Sequence, residues 1–246
     1  MAKSRYSISV VIPAYNEEAN IEDVVRDTLQ NLELLTDRYE VLVMDDASKD
    51  RTGEIIDRLA KQRPGVVRAF HHGINRGTNP TLIELFGKCQ CDLIFFLPAD
   101  KQILPNSIGR YLSAVENGAD IVLGWRAKRA DPFYRAFLNG AYCTILRVFF
   151  GLSYRDASAS DLYKREVLEK IQMESRGRLL QAEIATKAKY LGYRAVEVEV
   201  EHYPRKAGKQ TGIGPRTAWR SLVDLWRVMP GIMKLKKSQK VLAGTP

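Results

Sequence analysis

Short apolar runs alternate with stretches of helical periodicity along the first half of the chain. Residues 7–12 are typical of a buried strand, and residues 17–35 place apolar side chains three and four positions apart, as a helix with one buried face does. The strand pattern recurs in YEVLVM, VVRAF, DLIFFL and DIVLG, with helical stretches around residues 55–59 and 82–86. This alternation predicts an α/β fold with a mostly parallel central sheet and helices on both faces.

The pattern changes after Trp125. Longer helical stretches follow, with Pro132 near the start of one, and residues 194–203 alternate polar and apolar side chains like a late strand. We expect this half to build the second wall of a cleft and to form one rigid body with the first half.

A final helix is predicted from Pro215. Its apolar positions share one face and are Trp219, Leu222, Val223, Trp226, Met229 and Met233. Arg and Lys occupy other positions, so the helix is basic and amphipathic. Two interpretations stay open, because the apolar face could pack on the protein core or lie on a membrane surface.

The charge of the chain is concentrated at its C-terminal end. The formal net charge is +9, and from Tyr203 onward ten Lys and Arg residues face a single acid, Asp224. A basic end indicates an anionic partner, and nucleic acid, anionic lipid and phosphorylated small molecules all qualify. Nucleic acid is disfavoured, because the aromatic residues are not interleaved with the basic ones.

The sequence also bears on the cellular compartment. Three cysteines without a C-x-x-C pair indicate reduced thiols, and neither a disulfide framework nor a zinc site. No window reaches about 18 uninterrupted apolar residues, and the best candidate, AYCTILRVFFGL, carries Arg147 in its middle. The N-terminus lacks the cleavage pattern of a signal peptide. We expect a cytoplasmic protein that does not span a membrane, and that is peripheral at the cytoplasmic face if its last helix binds lipid.

Candidate chemistry lies in the loops after the predicted strands, because ligands of such sheets bind outside the carboxyl ends of the strands. In VVIPAYNEE, Tyr15 offers a face on which a nucleoside can stack, and Glu17 offers a carboxylate for a ribose hydroxyl. In VMDDASKDRT, Asp45 and Asp46 are acceptors for base or sugar donors. The alternative for both loops is helix capping, for which Asn16 is well placed.

A third loop, FFLPADKQ, carries Asp100 and Gln102. Their oxygen atoms suit a hard cation such as Mg²⁺. This ion needs only one or two protein carboxylates when substrate phosphates and waters complete its octahedron. We therefore expect a metal site at these two residues.

The first two loops resemble two motifs of the family 2 glycosyltransferases. P-x-Y-N-E is present at residues 13–17, and D-D-x-S-x-D-x-T is complete at residues 45–52. The chain is most similar to the dolichyl-phosphate mannose synthase and polyprenyl-phosphate glycosyltransferase branch, over roughly residues 6–212. The resemblance implies a GT-A fold with a nucleotide-sugar site formed by Pro13, Ala14, Tyr15, Glu17, Asp45, Asp46, Asn75, Arg126 and Arg135.

The resemblance also implies three parts. Residues 1–125 would be the nucleotide-sugar-binding half, residues 126–212 the acceptor-side half, and residues 213–246 a basic amphipathic helix and tail.

The third loop departs from the family pattern, which is N-x-G-K-G and then, about twenty residues later, D-A-D-x-Q. The spacing is kept, with matches at Asn75, Gly77, Asp100 and Gln102. Thr78 and Asn79 replace Lys-Gly, however, and Pro98 replaces the first Asp. A contact charge pair is worth about 4 kcal/mol at an effective dielectric near 20, before desolvation. We therefore expect Mg²⁺ or Mn²⁺ to be held weakly, by Asp100 and Gln102, with more water ligands.

Further motif matches lie in the second half, at Arg126, Arg135, Asn139, Asp156, Gln181, Glu183, Gly192, Glu197, Val198, Arg205 and Gly208. Two motifs differ at their ends, since residues 156–162 lack Gly-Phe-Arg and residues 210–211 are Gln-Thr in place of Ser-Lys. Arginines suit phosphate oxygens, so Arg126, Arg135 and Arg205 are candidates to clamp the diphosphate and an acceptor phosphate. The resemblance implies catalytic roles for Asp100, Arg205, Asp156 and Glu183.

The implied activity is an inverting glycosyl transfer from a nucleoside-diphosphate sugar to an acceptor, most simply a polyprenyl phosphate, whose oxygen is already anionic. A hydroxyl acceptor would instead need a carboxylate as general base, and Asp156, Asp161 and Glu183 are the candidates. The alternative from another class is a non-catalytic relative that binds nucleotide sugars or lipids, motivated by Thr78 and Pro98. The donor base, the sugar and the oligomeric state stay open.

Overall fold

The computed structural model describes residues 3–126, 144, 147, 151, 155, 159–177, 179–204 and 215–243, with side chains described for 223–239 of the last range. Seven strands form one sheet in these residues: β1 (Ile8–Ala14), β2 (Tyr39–Asp45), β3 (Val67–His71), β4 (Leu93–Phe96), β5 (Ile121–Arg126), β6 (Asp161–Lys164) and β7 (Ala195–Val200). The strand order is β3-β2-β1-β4-β6-β5-β7. Neighbouring strands are parallel except at β6, which is antiparallel to β4 and β5.

The described residues also form seven α-helices: α1 (Ile21–Leu35), α2 (Thr52–Gln62), α3 (Thr78–Lys88), α4 (Ile108–Glu116), α5 (Arg165–Glu169), α6 (Leu180–Tyr190) and α7 (Pro215–Ala243). A short 3-10 helix, Pro105–Ser107, precedes α4. The predicted α/β fold with a mostly parallel sheet is confirmed.

The sheet separates two apolar cores, because successive side chains of a strand point to opposite faces. In β1, Val10 and Ile12 belong to the core that α1, α2 and α4 cover. Val11 belongs to the other core, to which α3, α5, α6 and α7 contribute. Helices therefore cover both faces, as the pattern predicts.

Two elements go beyond the predicted pattern. The strand β6 has only four residues, Asp161–Lys164, too few for a periodic signal. The helix α4 buries Ile108, Tyr111, Leu112 and Val115, which follow helical spacing and could have been recognised in the sequence. The division of the chain at residues 126 and 213 stays a prediction.

The predicted face of the last helix is wrong in part. Val228 and Ile232 are buried in the core that contains α6, and neither belongs to the predicted apolar face. Trp226 is 80% exposed, and Val223 and Met233 are 43% and 50% exposed. The helix therefore packs through one stripe and leaves a second apolar stripe uncovered. One stripe of α7 thus packs on the core, and the interpretation that the helix lies on a membrane surface concerns the other, exposed stripe.

Candidate nucleotide-sugar site

The candidate site lies at one edge of the sheet. The strands β1 to β5 and β7 run in the same direction, and β6 runs in the opposite one. The carboxyl ends of the six parallel strands therefore meet at this edge. The three motif loops follow β1, β2 and β4. They therefore lie side by side, as expected for a ligand site of a parallel sheet.

The first two motif loops are joined by reciprocal hydrogen bonds. The backbone N–H of Asn16 donates to Ser48 Oγ at 2.9 Å, and the N–H of Lys49 donates to Asn16 Oδ1 at 2.8 Å. The N–H of Glu17 donates to Thr52 Oγ1 at 2.9 Å. Asn16 has a positive φ of 54°, a conformation that Asn tolerates better than most residues. The motif residues thus fix the shape of the loops before any ligand binds.

Within the first loop, the predicted ligand residues differ in exposure. Pro13 and Tyr15 are half-buried, whereas Ala14 and Glu17 are buried. Glu17 Oε2 accepts the side-chain amide of Asn20 at 2.8 Å. Tyr15 is therefore the more accessible of the two side chains for which we expect ligand contact.

The acidic pair after β2 meets two histidines at the end of β3, which the sequence interpretation missed. Asp46 Oδ1 lies 2.7 Å from His72 Nδ1, and the other ring nitrogen lies 3.1 Å from Glu84 Oε2 on α3. Asp45 Oδ2 lies 3.6 Å from His71 Nδ1. The His-His dipeptide directly after the VVRAF strand was the available signal.

Asp46 is used to fold the neighbouring loop. Its carboxylate accepts the backbone N–H of Arg76 at 2.8 Å and that of Gly77 at 2.7 Å, besides its contact with His72. Asn75 donates its side-chain amide to the Asp46 carbonyl at 3.2 Å. Both predicted ligand residues, Asp46 and Asn75, therefore hold the segment that begins α3. The carboxylate of Asp45 accepts the backbone N–H of Ser48 at 2.9 Å.

The third loop places Asp100 and Gln102 beside the chain that leaves β7. The N–H of Gln102 donates to Asp100 Oδ1 at 3.1 Å, and the N–H of Tyr203 donates to the Gln102 carbonyl at 2.9 Å. Lys101, at a φ of 58°, points its ammonium group to Asp23 of α1. That hydrogen bond is the leading cause of the lowered pKa of Asp23. Over the described ranges, no group of three or more His, Cys, Asp or Glu side chains is arranged to hold a metal ion.

Arg126 ends β5 at the same edge and is half-buried. Next to it, the guanidinium of Arg155 stacks over the Trp125 ring, 4.6 Å from the ring centroid. The N–H of Arg155 donates to Glu197 Oε1 at 2.7 Å. Cationic groups are thus present where the second half of the chain meets the ligand edge. The predicted site residues Arg135, Asp156 and Arg205 lie outside the described residues.

The surroundings of Glu183, a predicted catalytic residue, are those of a buried, paired carboxylate. Its side chain has no exposed surface and forms an ion pair with Lys187, with Oε1 2.6 Å from Nζ. It also accepts the backbone N–H groups of Glu174 and Ser175 at 2.9 and 2.8 Å. Glu183 thus stabilises the loop before α6, and its catalytic role stays a prediction, which requires that the base reach the proton that it removes.

Asp161, another predicted candidate for this role, is also buried, at 3% exposure. Its Oδ2 accepts the hydroxyl of Tyr163 at 2.8 Å and the side-chain amide of Gln181 at 2.6 Å. Burial and the adjacent carboxylate raise the pKa of Tyr163 well above its usual value. Asp161 therefore anchors β6 to α6, and the roles of the three predicted bases stay predictions.

A mostly parallel sheet with ligand loops at its carboxyl edge and one reversed strand defines the class of this protein as a GT-A glycosyltransferase fold. Solved structures agree with this fold assignment. A glucosyl-3-phosphoglycerate synthase from Mycobacterium tuberculosis, in complex with Mn²⁺, UDP-glucose and phosphoglyceric acid, superposes with a TM-score of 0.70 at 18% identity, over 91% of this chain and 80% of that one. A mannosyltransferase from Pyrobaculum calidifontis, in complex with GDP-mannose and Mn²⁺, gives a TM-score of 0.64 at 21% identity, over 94% and 65%.

The chain belongs to glycosyl transferase family 2, whose model matches residues 9–174. It is 30% identical over 203 residues to an undecaprenyl-phosphate 4-deoxy-4-formamido-L-arabinose transferase of Photorhabdus laumondii, covering 82% of this chain and 61% of that protein. It is 30% identical over 223 residues to a polyprenol monophosphomannose synthase of Mycolicibacterium smegmatis, covering 85% and 83%. A dolichol-phosphate mannosyltransferase of Pyrococcus furiosus is 29% identical over 234 residues, covering 90% and 63%. The chain thus spans less than two thirds of the length of the first and third of these relatives.

Among the helices of the described residues, none has both the length and the apolar composition that crossing a bilayer demands.

Proposed function

We propose that this chain is an inverting glycosyltransferase that moves a sugar from a nucleoside-diphosphate sugar to a polyprenyl phosphate. The observation that carries the proposal is the hydrogen-bonded junction of the first two motif loops, in a member of glycosyl transferase family 2. The relatives named as polyprenyl-phosphate sugar transferases support the acceptor class.

The donor nucleoside is proposed to bind in the loops after β1 and β2. Tyr15 offers its ring to the base, Asp45 accepts a base N–H, and Glu17 accepts a ribose hydroxyl. The remaining predicted donor residues at the same edge are Pro13, Ala14, Asp46, Asn75 and Arg126, and Arg135, which lies outside the described residues, is proposed to contribute as well. The buried Asp46 and the exposed Asn75 contribute by holding the loop that precedes α3.

Asp100 and Gln102 would hold a divalent cation, Mg²⁺ or Mn²⁺. Their donor set fits such an ion loosely, since it consists of one carboxylate and one amide oxygen, and one carboxylate oxygen already accepts the N–H of Gln102. When bound, the cation supplies positive charge to the diphosphate leaving group. The solved Mn²⁺ complexes of proteins with this fold support the same choice of ion.

The chemistry needs little proton transfer. A phosphate oxygen of the acceptor attacks the anomeric carbon, the bond from that carbon to the diphosphate oxygen breaks, and the nucleoside diphosphate leaves with the electron pair. The configuration at the anomeric carbon inverts. Arg126 and the predicted Arg135 and Arg205 are proposed to stabilise the phosphate charges. Asp156 would act as a base only if the acceptor were a hydroxyl.

The helix α7 is proposed to hold the enzyme at a membrane surface. Its uncovered apolar stripe contains Val223, Trp226 and Met233, and the exposed cations Arg227 and Lys234 lie on the same helix. Trp at the lipid–water boundary and cations near anionic headgroups both favour such binding. A peripheral position would bring the site to the lipid acceptor.

Activity is tested by incubating the full chain with a panel of nucleoside-diphosphate sugars and a short-chain polyprenyl phosphate, with Mn²⁺ or with EDTA. We expect a glycosyl phosphate lipid of inverted configuration, detected by mass spectrometry and NMR. Asp45→Asn should lower donor affinity, whereas Asp37→Asn, on an aspartate that is 80% exposed, should not. Donor binding without turnover across the panel would favour the non-catalytic alternative.

Membrane binding is tested separately by sedimentation with liposomes that contain anionic lipid. Trp226→Ala should lower the bound fraction at least a few-fold, and Ser238→Ala, at an exposed position of the same helix, should leave it unchanged. Equal sedimentation of the Trp226 variant and the wild type would contradict the proposal for α7.

A further inference from the structure

A buried histidine begins the loop between β3 and α3. The side chain of His72 is 3% exposed, and its ring lies between two carboxylates. Nδ1 lies 2.7 Å from Asp46 Oδ1, and Nε2 lies 3.1 Å from Glu84 Oε2 on α3. The backbone N–H of His72 donates to the Asp45 carbonyl at 2.9 Å. The ring is thus held on one side by the loop after β2 and on the other side by α3.

The same two carboxylates hold the far end of this loop. Asp46 accepts the backbone N–H of Arg76 at 2.8 Å and that of Gly77 at 2.7 Å. Glu84 Oε2 accepts the guanidinium of Arg76 at 3.2 Å. His72 and Arg76 are therefore bridged twice, once through each carboxylate, and the residues between them form a loop that is closed at its base.

The two contacts of the ring determine the charge of His72. A carboxylate only accepts hydrogen bonds, so each ring nitrogen that faces one carries a proton. A ring with both protons is an imidazolium. The hydrogen bond from His72 is the leading cause of the lowered pKa of Glu84, so that carboxylate is ionised at neutral pH. His72 is therefore a buried cation that Asp46 and Glu84 share.

The other charged groups nearby do not replace this cation. Arg76 and Lys88 face Glu84, at 3.2 and 3.5 Å, and their side chains are 52% and 33% exposed, so water screens their charge. Asp45 lies beside His71 on the face of the sheet that α2 covers. Removal of the ring charge would therefore leave the buried carboxylate after β2 without its cation.

Loss of one ring proton would disturb residues for which we expect donor contact. A neutral ring donates through one nitrogen only, so the second nitrogen would oppose a carboxylate with a lone pair. One of the two bridges across the loop would then open. The loop contains Asn75, whose amide donates to the Asp46 carbonyl at 3.2 Å. A site that must be ordered when its ligand binds has a lower affinity than one that is already ordered.

We propose that the imidazolium of His72 is a positioning residue for the donor, because it holds Asp46 and the loop before α3 in the shape that binds a nucleoside diphosphate. Donor affinity should therefore fall as His72 loses its second proton at alkaline pH. The inference rests on the proposed nucleotide-sugar site. His72 acts through Asp46 and the loop, so its burial is compatible with this role.

The test is calorimetric titration of the full chain with GDP and with UDP in the presence of Mg²⁺, each over a range of pH. His72→Gln keeps a neutral donor for one carboxylate and cannot become charged. At about pH 6, where an imidazolium carries its proton, this variant should bind the tighter nucleotide about tenfold more weakly than the wild type, because a charge-assisted hydrogen bond is lost. The ratio should shrink to about twofold at about pH 9, because the wild-type ring is then neutral too. Titration of the nucleotide itself cancels in this ratio.

A second variant moves the pH profile instead of removing it. Glu84→Gln takes away one of the two charges that favour the imidazolium, so the fall in affinity should occur at lower pH than in the wild type. Glu54→Gln, at an exposed position of α2, should leave the profile unchanged. A purely structural role of His72 would lower the amount of folded protein without moving the pH profile of its affinity.

The outcomes separate this inference from the proposed function. An affinity ratio between wild type and His72→Gln that stays constant with pH, or a Glu84→Gln profile equal to that of the wild type, would overturn the role of His72. Nucleotide binding that Asp45→Asn weakens would still support the site. Failure of the wild type to bind either nucleotide would overturn the proposed function, and this inference with it. Thermal unfolding and the calorimetric stoichiometry show how much of each variant is folded, so the affinity is that of folded molecules.

Discussion

The carboxylate of Asp224 on α7 accepts the backbone N–H of Arg176, in the loop before α6, at 2.9 Å. It also accepts the N–H of Gly177 at 3.1 Å and the hydroxyl of Ser175 at 2.5 Å. Glu183 accepts the N–H of Ser175 and of the residue before it. Four consecutive N–H groups thus end on two buried carboxylates, and the only acid of the basic C-terminal end is the residue that docks the last helix.

Replacing Asp224 should destabilise the protein strongly. Asp224→Ala leaves two part-buried N–H groups and the buried Ser175 hydroxyl without their acceptor, at a cost of up to about 1–3 kcal/mol each, and we expect a loss of about 2–4 kcal/mol. Asp224→Asn keeps one acceptor oxygen and should cost less. Urea unfolding measures the free energy of unfolding of both Asp224 variants. Asp37→Ala, which removes only an exposed ion pair with Lys3, should change stability by less than about 1 kcal/mol. Equal effects of the two alanine variants would contradict the docking role.

For the buried pair of Glu183 and Lys187, we predict that a substitution lowers the stability of the protein without lowering its catalytic rate. Lys187→Met leaves Glu183 as an unpaired buried charge, so the protein should lose about 3–5 kcal/mol of stability. Because neither group reaches the ligand edge, the rate per folded molecule should stay within about twofold of the wild type. Activity gives the rate and circular dichroism gives the folded fraction of the same sample, and their quotient is the rate per folded molecule. A large loss of rate in fully folded protein would instead support the catalytic role that the sequence predicts for Glu183.

Asp92 predicts a pH dependence of stability. The backbone N–H and the hydroxyl of Ser7 both donate to its Oδ2, at 3.0 and 2.7 Å, and they lower the pKa of this carboxyl. A lowered pKa in the folded state gives a stabilisation that is present above the unfolded value of about 3.9. It is lost as the pH falls through the folded value.

Asp92→Asn should therefore be less stable than the wild type at pH 7, and the difference should shrink at about pH 2.5. Urea unfolding at the two pH values measures this difference in the free energy of unfolding. Ser7→Ala should raise the pKa of Asp92, which NMR titration detects. A difference between Asp92→Asn and the wild type that is the same at both pH values would argue against this hydrogen-bonded carboxylate as its source.

The loop after β4 predicts a gain of metal affinity by a single substitution. Pro98→Asp supplies the carboxylate that the family carries at this position, two residues before Asp100. We expect the Mn²⁺ concentration for half-maximal activity to fall roughly tenfold, since a second carboxylate adds charge to a site with one. Pro64→Asp, which adds the same charge at an exposed position, should have no such effect. An unchanged metal requirement would indicate that the cation does not bind at this loop.

The sheet could be predicted from the sequence because its parallel strands are continuous apolar runs. The site could be predicted because motif loops follow those runs. The contacts between these elements could not be predicted from the sequence. Asp45 and Asp46 are adjacent in the sequence, yet they face α2 and α3 respectively, and only the register of β2 and β3 shows which histidine each one meets. Glu183 matches a family motif, but its burial depends on Lys187 and on the loop that it caps.

The last helix also shows that the sequence does not predict contacts between elements. Its exposed Trp226 and buried Asp224 reverse what hydropathy alone predicts. The reason is that Asp224 satisfies backbone donors in a loop that lies far from it in sequence. Periodicity identifies a helix and its apolar residues, but it does not say which of two stripes meets the core.

The reversed strand β6 has a consequence for where the chain can vary in length. Because β5 ends and β6 begins at the ligand edge, both attachment points of residues 127–160 lie there. Changes in the length of that segment can be accommodated at this edge without shifting the register of Leu162 against Val122 or Phe95. The fold therefore permits length variation at the ligand edge, while the loops after β1 and β2 stay fixed by their reciprocal hydrogen bonds.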